Sequence, residues 1–170
     1  GTTISGNTLA ATTGSGLLTS GGPINWNTLN VATTLDATAS QGSITFKTAQ
    51  SGGTQTIHAH DNVTFNALTA TGITGDAGSI SVNADHGFIL AQTVTSGGAT
   101  TLGSLSANGS ATLIAALTNT GHNLTARGNA LLRGTVVNWD NLNVGGTLGI
   151  GALDRDPADG EMDRQAEDQL

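Results

Sequence analysis

Four residues carry most of the chemical interest in the chain. His58-Ala59-His60-Asp61 places two imidazoles at a spacing of two, with a carboxylate directly after them. On a strand this spacing points both rings to one face, where they could chelate a metal ion. No third protein ligand is evident in the sequence, and Ile57 and Ala59 alternate with the histidines as core residues. The pair is therefore expected on a solvent-facing strand surface with no metal bound. Acid–base hydrolysis of a glycan would need clustered carboxylates. Outside the C-terminal stretch the acids are Asp36, Asp61, Asp76, Asp85 and Asp140. They are scattered and mostly lie beside turn residues, where carboxylates bond local backbone. A stacked pair such as Asp61 and Asp85 is left open. His86 and His122 are isolated.

The remaining motifs are weaker. The segment Asp154-Arg155-Asp156-Pro157-Ala158-Asp159-Gly160-Glu161 has the flavour of a calcium loop, but Ala158 and Asp159 stand where an acid and a glycine are required. Asn62-Val63-Thr64, Asn108-Gly109-Ser110 and Asn123-Leu124-Thr125 satisfy the glycosylation triplet, as chance allows in a chain rich in Asn, Ser and Thr. No phosphate loop, nucleophile triad or Arg-Gly-Asp tripeptide is present. No catalytic, cofactor-binding or metal residue is assigned, and the expected protein is not an enzyme. Trp26 and Trp139 are read as corner residues, with stacking on a sugar as the alternative.

The elements that would hold these residues follow from composition. Charged residues make up 10% of the 170, against about 25% in an ordinary domain. The formal charge of −7 lies mostly at 154–170, which leaves the body nearly neutral and without the basic footprint that nucleic acid or anionic membrane requires. No apolar run approaches the ~20 residues of a spanning helix, so membrane insertion is not expected. Cysteine is absent, which is compatible with export. Gly1 to Ile4 carry no basic and apolar leader, and the chain is expected to be a segment of a longer stack.

Apolar pairs at i and i+2 recur as Leu29/Val31, Ile44/Phe46, Val63/Phe65, Ile80/Val82, Phe88/Leu90, Leu142/Val144 and Leu148/Ile150. Each reads as a short strand with one buried face. Between them lie turn clusters such as Ser51-Gly52-Gly53, Thr74 to Gly78 and Ser96-Gly97-Gly98. A longer rhythm of about 20–22 residues overlies this, with 19 residues from Ile44 to Val63 and 22 each from Ile80 to Leu102 and from Leu102 to Leu124, the mark of a solenoid. It is most visible in the phrase Asn25-Trp26-Asn27-Thr28-Leu29-Asn30-Val31, which returns as Asn138-Trp139-Asp140-Asn141-Leu142-Asn143-Val144. Leu18 to Leu35 runs without a gap against Leu131 to Leu148. The two tryptophans are expected at equivalent sites about five coils apart, on the same side of the rod. The expected fold is all-β: a parallel β-helix over 1–153 with about 20–22 residues per coil. An acidic tail at 154–170 follows, disordered or loosely packed. A sandwich or barrel is the alternative.

The units GSISVNADHGFILAQTVTSGG (Gly78 to Gly98), NVTFNALTATGITGDAGSISV (Asn62 to Val82) and NLTARGNALLRG (Asn123 to Gly134) resemble repeats of the filamentous haemagglutinin family, the large two-partner secretion exoproteins of Gram-negative bacteria. The resemblance covers roughly residues 1–153. It implies a right-handed parallel β-helix within a long secreted filament at the bacterial cell surface, acting as an adhesin, as the stalk of a contact-dependent toxin, or in haem capture. It also implies a partner outer-membrane transporter and a host-cell receptor or glycan. The family's Asn-Pro-Asn secretion motifs are absent here. The rival functions are a carbohydrate-active β-helix enzyme or glycan-binding module, and an ice-binding solenoid, which needs a regular flat threonine ladder of the kind that Thr54-Gln55-Thr56 and Thr93-Val94-Thr95 would begin.

Overall fold

The computed structural model describes residues 2–107 and 109–152; the acidic tail lies outside the described residues. Within them the chain is all-β, with parallel strands stacked as a β-solenoid of about 8 turns and about 19 residues per turn. Each turn contributes to three faces. Face 1 begins at Ile4, which pairs with Ile24, which pairs with Ile44 and then Val63. Face 2 carries Leu9, Leu29, Ala49 and Leu68 in register. Face 3 carries Leu18, Ala37, Ile57 and Val82. Every strand pairing among the described residues is parallel, so each strand amide finds its partner one coil away at a spacing of ~4.8 Å.

The strands are β1 (Ile4–Ala11), β2 (Gly16–Ser20), β3 (Ile24–Val31), β4 (Leu35–Ala39), β5 (Ile44–Ser51), β6 (Gln55–Ala59), β7 (Val63–Thr64), β8 (Ala67–Ala70) and β9 (Ile80–Ala84) in the first half. They continue as β10 (Ile89–Leu90), β11 (Thr93–Ser96), β12 (Thr100–Ala107), β13 (Ala111–Ala115), β14 (Thr118–Ala126), β15 (Ala130–Arg133), β16 (Val136–Val144) and β17 (Leu148–Gly151). Alternation along them sends Ile, Leu, Val and Ala inward, and these fuse into one continuous core. Ile44, Phe46, Val63, Phe65, Ile80 and Val82 are all at most 2% exposed, as the spacing predicts. Phe88/Leu90 is a correction: Phe88 is 47% exposed and Ile89 fills the core instead. The strand begins at Ile89, one residue after Phe88, because the turn through Asp85-His86-Gly87 runs up to it, so the inward parity is shifted by one. The 22-residue spacings Ile80 to Leu102 and Leu102 to Leu124 are also not stacked pairs. Leu102 lies between Val82 and Gly121, and Leu124 lies on Leu105.

The coils are not uniform, and the difference decides where the tryptophans go. In β1, β3 and β5 one strand runs through the corner from face 1 to face 2. The register passes Gly6, Trp26 and Phe46, skips Asn7, Asn27 and Lys47, and resumes at Thr8, Thr28 and Thr48. This corner is an elbow, a bend without a turn. It persists through β7–β8 and β10–β11, where Phe65-Asn66 and Ala91-Gln92 occupy it. From β12 onward the elbow sits between face 3 and face 1. The register passes Leu102, Gly121 and Trp139, skips Gly103, His122 and Asp140, and resumes at Ser104, Asn123 and Asn141. Corner 1–2 then acquires turns, such as Arg127-Gly128-Asn129 and Gly145-Gly146-Thr147.

Trp26 and Trp139 therefore sit at different corners, on different sides of the rod. The expectation of equivalent positions is overturned. The repeated phrase encodes a strand, an elbow and a strand; it does not encode a position on the perimeter. What the two copies share is local. Each ring lies over a glycine of the preceding coil, Gly6 under Trp26 and Gly121 under Trp139, and a Cβ on either glycine would fall within 2.5 Å of ring carbons. Both rings are half-buried against the core.

Gly121→Ala should destabilise the fold by about 1–3 kcal/mol, the usual cost of overpacking. Adding Trp139→Leu should remove much of that penalty, because the clash partner is gone. Urea denaturation of the two single variants and the double variant measures the coupling. Strict additivity would mean that the ring does not rest on Gly121.

Candidate functional site

The His-Ala-His-Asp strand lies on face 3 with Ile57 and Ala59 buried and both histidines on the outer side, as alternation predicts. Sequence spacing could not show what the next coil adds. His58 stands in register with Asn83. His58 Nε2 contacts both carboxylate oxygens of Asp85 at 2.9 Å. Asn83 Nδ2 donates to Asp85 Oδ1 at 2.7 Å. His60 Nδ1 meets Asp61 Oδ1 at 2.8 Å, and its ring lies 4.4 Å from that of His86. The hydrogen bond from His58 holds the Asp85 carboxyl below its ordinary range, helped by the nearby charges of His58 and His86. The cluster thus assembles from corner 3–1 of two successive coils. Among the described residues no group of three or more His, Cys, Asp or Glu has the geometry to hold a metal ion.

The carboxylates do not converge. Asp61 and Asp85, left open as a pair, are each taken by a histidine. Asp140 pairs with His122 across the late elbow at 2.8 Å. Asp76 is consumed by backbone. It accepts from Thr54 N and Thr54 Oγ1 at 2.8 Å and from Gly78 N at 2.9 Å. These bonds, led by the Thr54 amide, lower its pKa. Asp76 sits in a small hairpin at corner 2–3, closed by Ile73 N to Asp76 O and Asp76 N to Ile73 O. Gly72, Gly75 and Gly78 all adopt positive φ here, which a side chain resists. The hairpin absorbs the extra residues of its coil, so the strands on either side keep register.

Face 2 accordingly keeps its outward column through the long coil. That column reads Thr8, Thr28, Thr48, Ala67, Thr93 and Thr112. Ala67 interrupts it, and the neighbouring column mixes Asn30, Gln50, Thr69, Thr95 and Ile114. Thr54 and Thr56, by contrast, belong to corner 2–3 and face 3.

Two outer depressions mark the elbow at corner 1–2. The larger, about 440 Å³, is lined by Ser5, Gly6, Asn7, Asn25, Trp26, Asn27 and Thr45. The smaller, about 70 Å³, is lined by Thr64, Phe65, Asn66, Leu90, Ala91 and Gln92. In both, the outward residues before and after the bend form the walls; Phe65 and Ala91 point inward at the smaller one, whereas the half-buried Trp26 ring, lying over Gly6, is part of the lining of the larger.

Two buried amides escaped notice in the sequence. Gln55 and Asn119 occupy equivalent inward positions at the start of face 3, both fully buried. Gln55 Nε2 donates to Thr69 O at 2.7 Å. Asn119 Nδ2 donates to Leu113 O at 3.1 Å. Each ties face 3 to carbonyls of face 2 across the core. Asn119 Oδ1 also accepts from Trp139 Nε1 at 3.2 Å. Parity was the available signal, since Gln55 alternates in phase with Ile57.

Both shifted carboxylates have folded pKa values below their unfolded ones. Their contribution is present above the unfolded carboxylate pKa, about 3.9, and is lost as pH falls through the lower folded values. The melting temperature should stay level from pH 7 to about pH 5 and drop below about pH 4. Asp76→Ala should cost about 1–2 kcal/mol at pH 7 and flatten part of that acid limb. Thermal melts of both proteins across pH provide the check. Asn119→Leu should cost about 1–3 kcal/mol, because the carbonyls of Leu113 and, at 3.4 Å, Arg133 and the Trp139 indole lose their partner.

No family model, no curated protein and no solved structure matches the chain.

Proposed function

We propose that the chain is a non-enzymatic structural and adhesive segment of a large secreted filament at a bacterial surface. The observation that carries this reading is the pairing of its chemistry-bearing groups. Among the described residues Asp61, Asp76, Asp85 and Asp140 are each held by a separate partner. What remains on the outside is a set of stacked, mostly uncharged columns. Asn27 Nδ2 donates to Asn7 Oδ1 at 2.7 Å, Asn141 Nδ2 to Asn123 Oδ1 at 2.9 Å, and Asn123 Nδ2 to Ser104 Oγ at 3.0 Å. Such surfaces bind weakly per coil and gain strength by repetition. The resemblance of Gly78 to Gly98 and Asn123 to Gly134 to haemagglutinin-type repeats supports the same reading, with a host-cell receptor or glycan and an outer-membrane transporter as partners.

Antibodies raised against residues 2–152 should label intact cells that make the protein. Labelling should disappear when the gene of the cognate outer-membrane transporter is deleted. Labelling only after lysis would overturn the surface assignment, and depolymerisation of a glycan by the purified chain would overturn the non-enzymatic one.

A further inference from the structure

We infer that the outer groove along corner 1–2 binds an extended, uncharged polysaccharide. The ligand class belongs to the adhesive reading above and rests on it. The two depressions lie in line along one corner, because the same elbow stacks from β1 through β10–β11, with the Phe46-Lys47 bend between them. One wall is built by Ser5, Asn25, Thr45 and Thr64, which follow one another in register. The other is the skipped corner residue of each coil: Asn7, Asn27, Lys47, Asn66 and Gln92. The channel stops where β12 and β13 begin, since corner 1–2 there becomes a turn containing Gly109 and Ser110.

The chemistry of the walls selects the ligand. Hydroxyl and carboxamide side chains both donate and accept, as neighbouring sugar hydroxyls do. The bond from Asn27 to Asn7 leaves the Asn7 amide protons and the Asn27 carbonyl free to face a ligand. Trp26 lines the larger depression and offers apolar surface to the C–H face of a sugar ring. Nucleic acid and acidic glycans need several cations, and Lys47 is the one cation in the channel. A peptide adding as a strand needs an open sheet edge. Along the channel the strands of β3, β5, β7 and β8 are paired on both sides, so a free edge is left only at its end, on β1, which among the described residues pairs with β3 alone. A linear polymer suits the repeat, because each coil presents a similar pair of polar walls ~4.8 Å further on. Contacts accumulate coil by coil, so affinity should rise steeply with oligomer length.

The test is an NMR titration of the ¹⁵N-labelled chain with cellohexaose, xylohexaose and chitohexaose, with a hyaluronan hexasaccharide as the charged comparison. At least one neutral hexasaccharide should move the amide signals of Asn25, Asn27, Thr45, Thr64 and Asn66 while leaving Asp36, Thr56 and Ser81 on face 3 in place. The matching trisaccharide should bind at least tenfold more weakly. Asn27→Ala combined with Asn66→Ala should weaken binding at least tenfold with the rest of the spectrum unchanged, and Thr56→Ala should have no effect. Silence with every neutral oligosaccharide, shifts confined to face 3, or binding of hyaluronan alone would overturn the assignment. Surface labelling with a silent titration removes only the ligand class. A positive titration with no surface labelling removes only the cellular location.

Discussion

Everything in this molecule depends on keeping the perimeter of one coil equal to the next. A parallel ladder between coils satisfies the backbone only if each residue meets its counterpart after one circuit. About 19 residues per turn is the length that results. The chain meets this constraint even where local sequence opposes it. Extra residues between Ala70 and Ile80 are expelled as a glycine-dependent hairpin, and Gln55 still finds Ile80 in register. When corner 3–1 straightens into an elbow at Gly103, corner 1–2 opens into a turn, and the circuit stays near its former length.

The interior answers a second demand. A narrow solenoid cannot exclude all polar backbone from its core at corners, where the strand direction changes. Gln55 and Asn119 supply donors to face 2 carbonyls from inside. The hydrogens of both amides are used and Asn119 Oδ1 accepts from Trp139, whereas Gln55 Oε1 is buried without a partner. The Trp139 indole joins the same network through Asn119, whereas in the first phrase Ile4 stands at the matching position beneath the strand. The two phrases are therefore alike in packing and unlike in hydrogen bonding.

Alternation made most of the fold legible. Ile44/Phe46 and Ile57/Ala59 announced their inward faces, and Gly-rich clusters announced the turns. Register was harder. Any i, i+2 apolar pair can be placed on any of three faces, and the sequence carries no mark that distinguishes them. Leu102 and Leu124 looked one coil apart for that reason, though they stack on different columns. The groove and the histidine cluster were less visible still. His58 names its own face, but only the coil register brings Asp85 beneath it, after an insertion whose length had to be known first. Asn27 and Asn66 read as surface asparagines until the elbow places them in one line.

The displaced elbow also sets how such a chain can be edited by its own gene. A deletion could fuse the chain at the residues the two tryptophan phrases share. A crossover within them would join Trp26, at the end of a face 1 strand, to Asp140, which leads into another face 1 strand. The shortened product would be in reading frame yet out of phase by one face, and the coils on its two sides could not share a ladder. Fusion at the shared phrase thus yields a chain that cannot close its circuit. Loss or gain of whole coils is productive only between points on the same side of the switch at Gly103.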